Sequence, residues 1–104
     1  MPSPSKTKGN AYEREIVNKA RELGLHAIRA WGSDGRSLGL HEGVDLVIEG
    51  LTVQAKRRKA IADYSRPDEN VDMQVIREDR GESYAILRLD DLLQILNNMQ
   101  KDKP

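Results

Sequence analysis

The sequence predicts an α/β fold with elements in the order α, β, β, β, a short α or loop, β, β, α, on three observations. Apolar residues recur at helical spacing near both ends, as Ile16, Val17, Ala20 and Leu23, and as Leu92, Leu93, Ile95, Leu96 and Met99. Between them lie short β-branched or alternating runs punctuated by Gly and Pro. The chain has 104 residues, 38% hydrophobic and 33% charged, enough for one domain over 1–104 with a modest core that a dimer would help to bury.

The elements follow in order. Residues 1–9, MPSPSKTKG, have a composition that buries no face and predict a flexible basic arm. Asn10 reads as an N-cap with Glu13 at the third helical position of a capping box, and Gly24 as a stop, which gives a helix over 10–23. Leu25 to Trp31 is a short strand. Residues 32–43, GSDGRSLGLHEG, hold four glycines and little to pack, which predicts a mobile loop. Val44 to Ile48 and Leu51 to Lys56 flank Glu49-Gly50 as a hairpin. A short helix or loop over 57–66 leads to strands Val71 to Ile76 and Ser83 to Leu89. Asp90 then caps a last helix, and residues 100–104 form a frayed tail.

Charge is balanced overall, with 17 basic and 17 acidic side chains, but not along the chain. Residues 1–36 carry seven basic and four acidic groups, 37–53 none and three, 54–66 five and one, and 67–104 five and nine. The densest block, Lys56-Arg57-Arg58-Lys59, is either a grip for phosphate or a solvated loop. There are no cysteines, so disulfides, thiolate metal sites and cysteine nucleophiles are excluded, and any metal is held by oxygen or nitrogen. No apolar run is long enough to span a bilayer, and the start lacks the apolar stretch of a signal peptide, so the expected location is the cytoplasm, with no membrane partner.

The chemistry gathers at the hairpin. With a two-residue loop at Glu49 and Gly50, Ile48 pairs with Leu51 and Asp45 falls opposite Gln54. Lys56 then shares the face of Gln54, while Leu46, Ile48, Leu51, Val53 and Ala55 take the core face. A bulge would shift this register. On the first helix, Glu13 lies among Ile16, Val17 and Ala20, inside the apolar stripe. For Glu13 the plain reading is the capping box, and for Asp45 it is a cross-strand ion pair with Lys56. The alternative is that Glu13, Asp45 and the Gln54 amide oxygen are hard donors of the sort that hold Mg²⁺ or Mn²⁺ beside a phosphate. His26 and His41 have no partner motif, and Trp31 reads as a core or dimer residue rather than a base-stacking platform.

Asp45, followed by eight residues and then Gln54-Ala55-Lys56, resembles the motif of the PD-(D/E)XK nuclease superfamily. Lys8-Gly9, Glu13-Arg14, Gly24, Ala27, Arg29 and a Gly/Ser loop containing Ser33 sharpen this. The run from 6 to 60 is similar to the archaeal-type Holliday junction resolvases, which also occur in phages. The resemblance implies a restriction-endonuclease-like fold with a central mixed β-sheet flanked by helices. It implies a homodimer that nicks four-way DNA junctions symmetrically with Mg²⁺, for which Mn²⁺ would substitute, and without a small-molecule cofactor. A phage-encoded protein would act in the host cytoplasm.

Matched residue by residue, the catalytic set falls on Glu13, Ser33, Asp45, Gln54 and Lys56. The metal set falls on Glu13, Asp45, Gln54 and the Ala55 backbone carbonyl. DNA contacts are expected from Lys6, Lys8, Arg14, Arg29, Arg36, Arg57, Arg58 and Lys59. Val44 stands where the motif has Pro, and Gln54 replaces the usual acid, which removes a negative charge from the cation site. Other readings are a different structure-specific or nicking nuclease of the superfamily, or a non-catalytic DNA-binding module.

Overall fold

The computed structural model describes the backbone of residues 4–102 and the side chains of residues 9–102. The chain divides into two compact units, Met1–Arg57 and Arg58–Pro104. In the first, helix α1 (Pro4–Glu22) packs on strands β1 (Ala27–Arg29) and β2 (Leu46–Ile48), and β3 (Leu51–Val53) completes an antiparallel sheet of order β1-β2-β3. In the second, β4 (Met73–Ile76) and β5 (Tyr84–Leu87) pair antiparallel ahead of helix α2 (Leu89–Lys101).

The order along the chain is the expected one, but the β-structure differs. Among the described residues all strand pairs are antiparallel and fall into separate sheets of three and two strands, where the resemblance implies one central mixed sheet. The strands are three or four residues long.

Helix α1 starts at Pro4, within the stretch expected to be an arm. Proline is well placed at a first helical position, where its fixed φ fits and its missing N–H costs nothing. Gly9 sits inside this helix at a propensity cost of about 1 kcal/mol. The C-terminus follows prediction. Gly24 is left-handed (φ 80°), its amide bonds the Arg21 carbonyl at 2.9 Å, and the Leu25 amide bonds Ala20 at 3.1 Å, the Schellman pattern.

Ile16, Val17 and Ala20 from α1, with Leu25, Ala30, Val44, Leu46 and Ile48, are buried. The hairpin turns through Glu49 (φ 48°) and Gly50 (φ 81°), both left-handed, as a primed two-residue turn requires. Its register is Leu46 to Val53, Val47 to Thr52 and Ile48 to Leu51. Leu51, expected in the core, is 47% exposed, because β3 is the edge strand of its sheet.

The second unit has a thinner core. Leu93 is buried and Leu92 and Leu96 are half-buried, whereas Ile95 and Met99, also expected to face a sheet, are exposed. Arg88, not Asp90, holds the N-cap position of α2, without a side-chain cap bond. Asp90 and Asp91 lie in the first turn, where they complement the helix dipole.

Candidate active site

Glu13 is the one buried charged side chain among the described residues, at 4% exposure. Because α1 continues back to Pro4, Asn10 is inside the helix and the capping-box reading of Glu13 falls away. The carboxylate meets a loop residue instead. Ser33 Oγ lies 2.9 Å from Oε1 and 2.8 Å from Oε2, so its single hydroxyl proton is shared between the two oxygens. Arg29, at the end of β1, presents Nε and Nη2 to Oε1, each at 3.4 Å. Asn10 Oδ1 accepts from Arg29 Nη2 at 3.4 Å and lies at the same distance from Ser33 Oγ. The charge of Glu13 is thus compensated by a guanidinium and a hydroxyl. Asn10 is a member that sequence reasoning assigned to a cap, and only the helix's true start reveals it.

Ser33 reaches Glu13 through a sharp turn. Ala30 is buried and donates to the Asp45 carbonyl at 2.9 Å, which anchors the chain to β2. Gly32 (φ 64°) and Ser33 (φ 57°) then both take left-handed conformations. Residues 31–33 and 35–38 form 3₁₀ turns, so the segment expected to be a mobile loop is locally organised. The Asp34 carboxylate accepts the Arg36 amide at 3.0 Å and pairs with its guanidinium at 2.6 Å. The hydrogen bond from the Arg36 side chain, then that from its amide, holds the Asp34 carboxyl below the ordinary carboxylate range.

Gly35 is buried in this loop, and a Cβ there would overlap the His41 carbonyl oxygen and sit 2.7 Å from Val44 Cβ. Gly35→Ala is therefore expected to cost about 3 kcal/mol through overpacking, lowering the melting temperature by roughly 12 °C or more. Thermal unfolding followed by circular dichroism checks this.

Asp45 lies one residue beyond the β2–β3 ladder. Its amide donates to the Val53 carbonyl at 2.8 Å, and its Oδ2 accepts the Ala55 amide at 2.8 Å. Leu46 by pairing and Asp45 by its amide both address Val53, as at a bulge, so Asp45 is not simply opposite Gln54. The carboxylate braces the backbone between Gln54 and Lys56. Both of those side chains are exposed, and among the described residues Lys56 forms no ion pair, so the cross-strand pair with Asp45 is absent. Ala55 is half-buried, while β3 itself ends at Val53.

Two clusters thus emerge, Glu13 with Ser33, Arg29 and Asn10, and Asp45 with Ala55. They are joined through the β1–β2 pairing of Arg29 with Leu46 and the bond from Ala30 to Asp45. Beside the second, a cavity of about 430 Å³ is lined by His41, Gly43, Val44, Thr52, Val53 and Gln54. His41 Nδ1 accepts the Gly43 amide at 2.9 Å, which orients a ring that sequence reasoning left without a role.

Among the described residues no group of three or more His, Asp or Glu side chains is gathered to hold a metal. The oxygens near the hairpin mouth, the Asp45 carboxylate, the Ala55 carbonyl and the Gln54 amide, are nevertheless hard donors suited to Mg²⁺. The Glu13 carboxylate is already engaged by Ser33 and Arg29, so a cation there competes with a guanidinium.

Of the expected DNA contacts, Arg29 turns inward to Glu13 and Arg36 is paired with Asp34. Arg14 and Lys59 are exposed, as are Arg57 and Arg58. The basic block crosses the boundary between the units, with Arg57 closing the first and Arg58 opening the second. The side chains of Lys6 and Lys8 lie outside the described residues.

An α1–β1–β2–β3 unit with a buried glutamate against a serine-bearing turn, and an aspartate bracing the chain before a lysine, defines an α/β protein with a candidate hydrolytic site. Residues 4–61, more than half the chain, match the family model of the archaeal Holliday junction resolvase (Hjc). The chain belongs to that family. No curated protein and no solved structure matches it. No helix among the described residues is long and apolar enough to cross a membrane.

Proposed function

We propose that the protein is a Holliday junction resolvase, a structure-specific endonuclease that makes paired, symmetric nicks in four-way DNA junctions by phosphodiester hydrolysis. The observation that carries this reading is that the family match, 4–61, encloses the whole candidate constellation, from Glu13 to Lys59. Asp45, Gln54 and the Ala55 carbonyl, with Glu13, would hold Mg²⁺ or Mn²⁺. When bound, the ion polarises the scissile phosphate and lowers the pKa of water.

The chain's own residues divide the remaining work. Asp45 fixes the backbone from which Lys56 projects, through its bond to the Ala55 amide. The Lys56 ammonium stabilises charge developing on the phosphate. Ser33, held on Glu13, carries the hydroxyl that contacts phosphate next to the cut. Arg14, Arg57, Arg58 and Lys59 hold the DNA backbone, which makes affinity fall steeply with salt. A twofold homodimer presents two such sites at a fixed separation, which matches the two equivalent strands of a junction.

The test is incubation of a strand-labelled four-way junction and its matching linear duplex with the full chain in Mg²⁺. Paired nicks at symmetric positions in the junction, with the duplex intact, are expected. Unpaired nicks would indicate another structure-specific nuclease of the superfamily. Binding without cutting, in Mn²⁺ as well, would favour a DNA-binding module on this fold. Gln54 in the place of an acid, and the lack of a three-carboxylate cluster among the described residues, are the features that support that second reading.

A further inference from the structure

Trp31 is 85% exposed, the most exposed large apolar side chain among the described residues and the chain's only tryptophan. Exposure of so large an aromatic surface forgoes the burial that normally stabilises it. The neighbouring backbone is not loose. The Trp31 amide accepts no freedom, since it donates to Ser37 Oγ at 2.9 Å, and its carbonyl accepts the Asp34 amide at 3.2 Å. Ala30, one residue before it, is buried and bonded to Asp45. The left-handed pair Gly32 and Ser33 sends Ser33 inward to Glu13 while the indole stays in solvent. A fixed backbone with an outward aromatic is a pre-organised contact, not a frayed one.

We infer that Trp31 stacks on the exposed bases at the branch point of a DNA junction, an assignment that rests on the resolvase reading. Two features favour a nucleobase as its occupant. Trp31 lies two residues from Ser33, so a phosphate at the Ser33–Glu13 cluster leaves its neighbouring bases within reach of the indole. Its surroundings are Gly32, Asp34, Arg36 and Ser37, which line an open cavity of about 600 Å³. Continuous duplex hides its base faces by stacking, while a branch point interrupts the stack and exposes them, and an aromatic plane recognises any base face regardless of sequence. Arg36, in the same wall, is held by Asp34, so the contact this surface offers is the face of the indole.

Because the chain has a single tryptophan, its emission reports this residue alone. The full chain, in EDTA to prevent cutting, is titrated with a synthetic four-way junction or with the linear duplex, and binding is followed separately by anisotropy of labelled DNA. Junction binding is expected to quench the emission and to shield it from acrylamide, while duplex binding leaves both nearly unchanged. Trp31→Ala should weaken junction affinity about tenfold, the weight of one stacked base, with duplex affinity and melting temperature unchanged. Trp31→Phe should recover most of the loss.

Bound junction with unmoved emission overturns the assignment and leaves the resolvase reading standing. Equal quenching by duplex overturns the branch-point assignment. An indole already shielded before DNA is added shows that a second copy covers it, and also overturns the assignment. No junction binding at all removes the resolvase reading and this inference together.

Discussion

Asp45→Asn is expected to lower junction cleavage by about a thousandfold or more while leaving the melting temperature and junction affinity close to those of the parent. Asparagine keeps the size of the side chain and an oxygen that accepts the Ala55 amide, the 2.8 Å bond that braces the chain before Lys56. Only the negative charge goes. Asp45→Ala removes both charge and bond, and leaves the half-buried Ala55 amide without its acceptor, so it should cost about 1 kcal/mol of stability in addition. Single-turnover cleavage, melting and anisotropy on the two variants separate the contributions. Equal activity in Asp45→Asn and parent would remove Asp45 from the chemistry and reduce it to a bracing residue. A loss of activity confined to Asp45→Ala would lead to the same conclusion.

The residues of this cluster show what a sequence can convey here. Glu49-Gly50 between two β-branched runs specified a two-residue loop, and hence the pairing of Ile48 with Leu51, because only a primed turn fits strands so close. Leu46 and Ile48 alternate into the core for the same reason. The position of Glu13 in the apolar stripe of α1 was legible from helical periodicity alone. Its partners were not. Ser33 arrives on Glu13 only because Gly32 and Ser33 adopt left-handed backbone in succession, and non-glycine residues enter that region too rarely for composition to announce it. Asn10 reads as a cap because Asn, then Glu at the right spacing, satisfies the capping rule. The rule is local, and the helix continued through Gly9 to Pro4. Alternation puts Leu51 on the core face, but it does not say whether anything covers that face at a sheet edge. Hydrophobicity reads Trp31 as a core or dimer residue, and of the two the core is excluded, because the turn that follows leaves the indole in solvent.

Lys56→Ala is the second large effect, with cleavage expected to fall by about a hundredfold to ten-thousandfold and the fold unaffected. The side chain is exposed and forms no ion pair among the described residues, so its removal leaves no buried group without a partner. Its backbone is nevertheless positioned, through the Ala55 amide on Asp45, so the ammonium projects from a fixed point beside a carboxylate. Such a group acts either by its charge on the phosphate or by holding and passing a proton. Arginine separates these, since it keeps the charge and cannot release a proton in the accessible pH range. If charge stabilisation is the role, Lys56→Arg should restore cleavage to within about tenfold of the parent, and the rate should not rise with pH in a step that the arginine variant lacks. If the ammonium must give up a proton, Lys56→Arg stays as inactive as Lys56→Ala. Because the brace from Asp45 precedes both, the double variant Asp45→Ala with Lys56→Ala should lose little more than the worse single variant, as residues acting in one unit do.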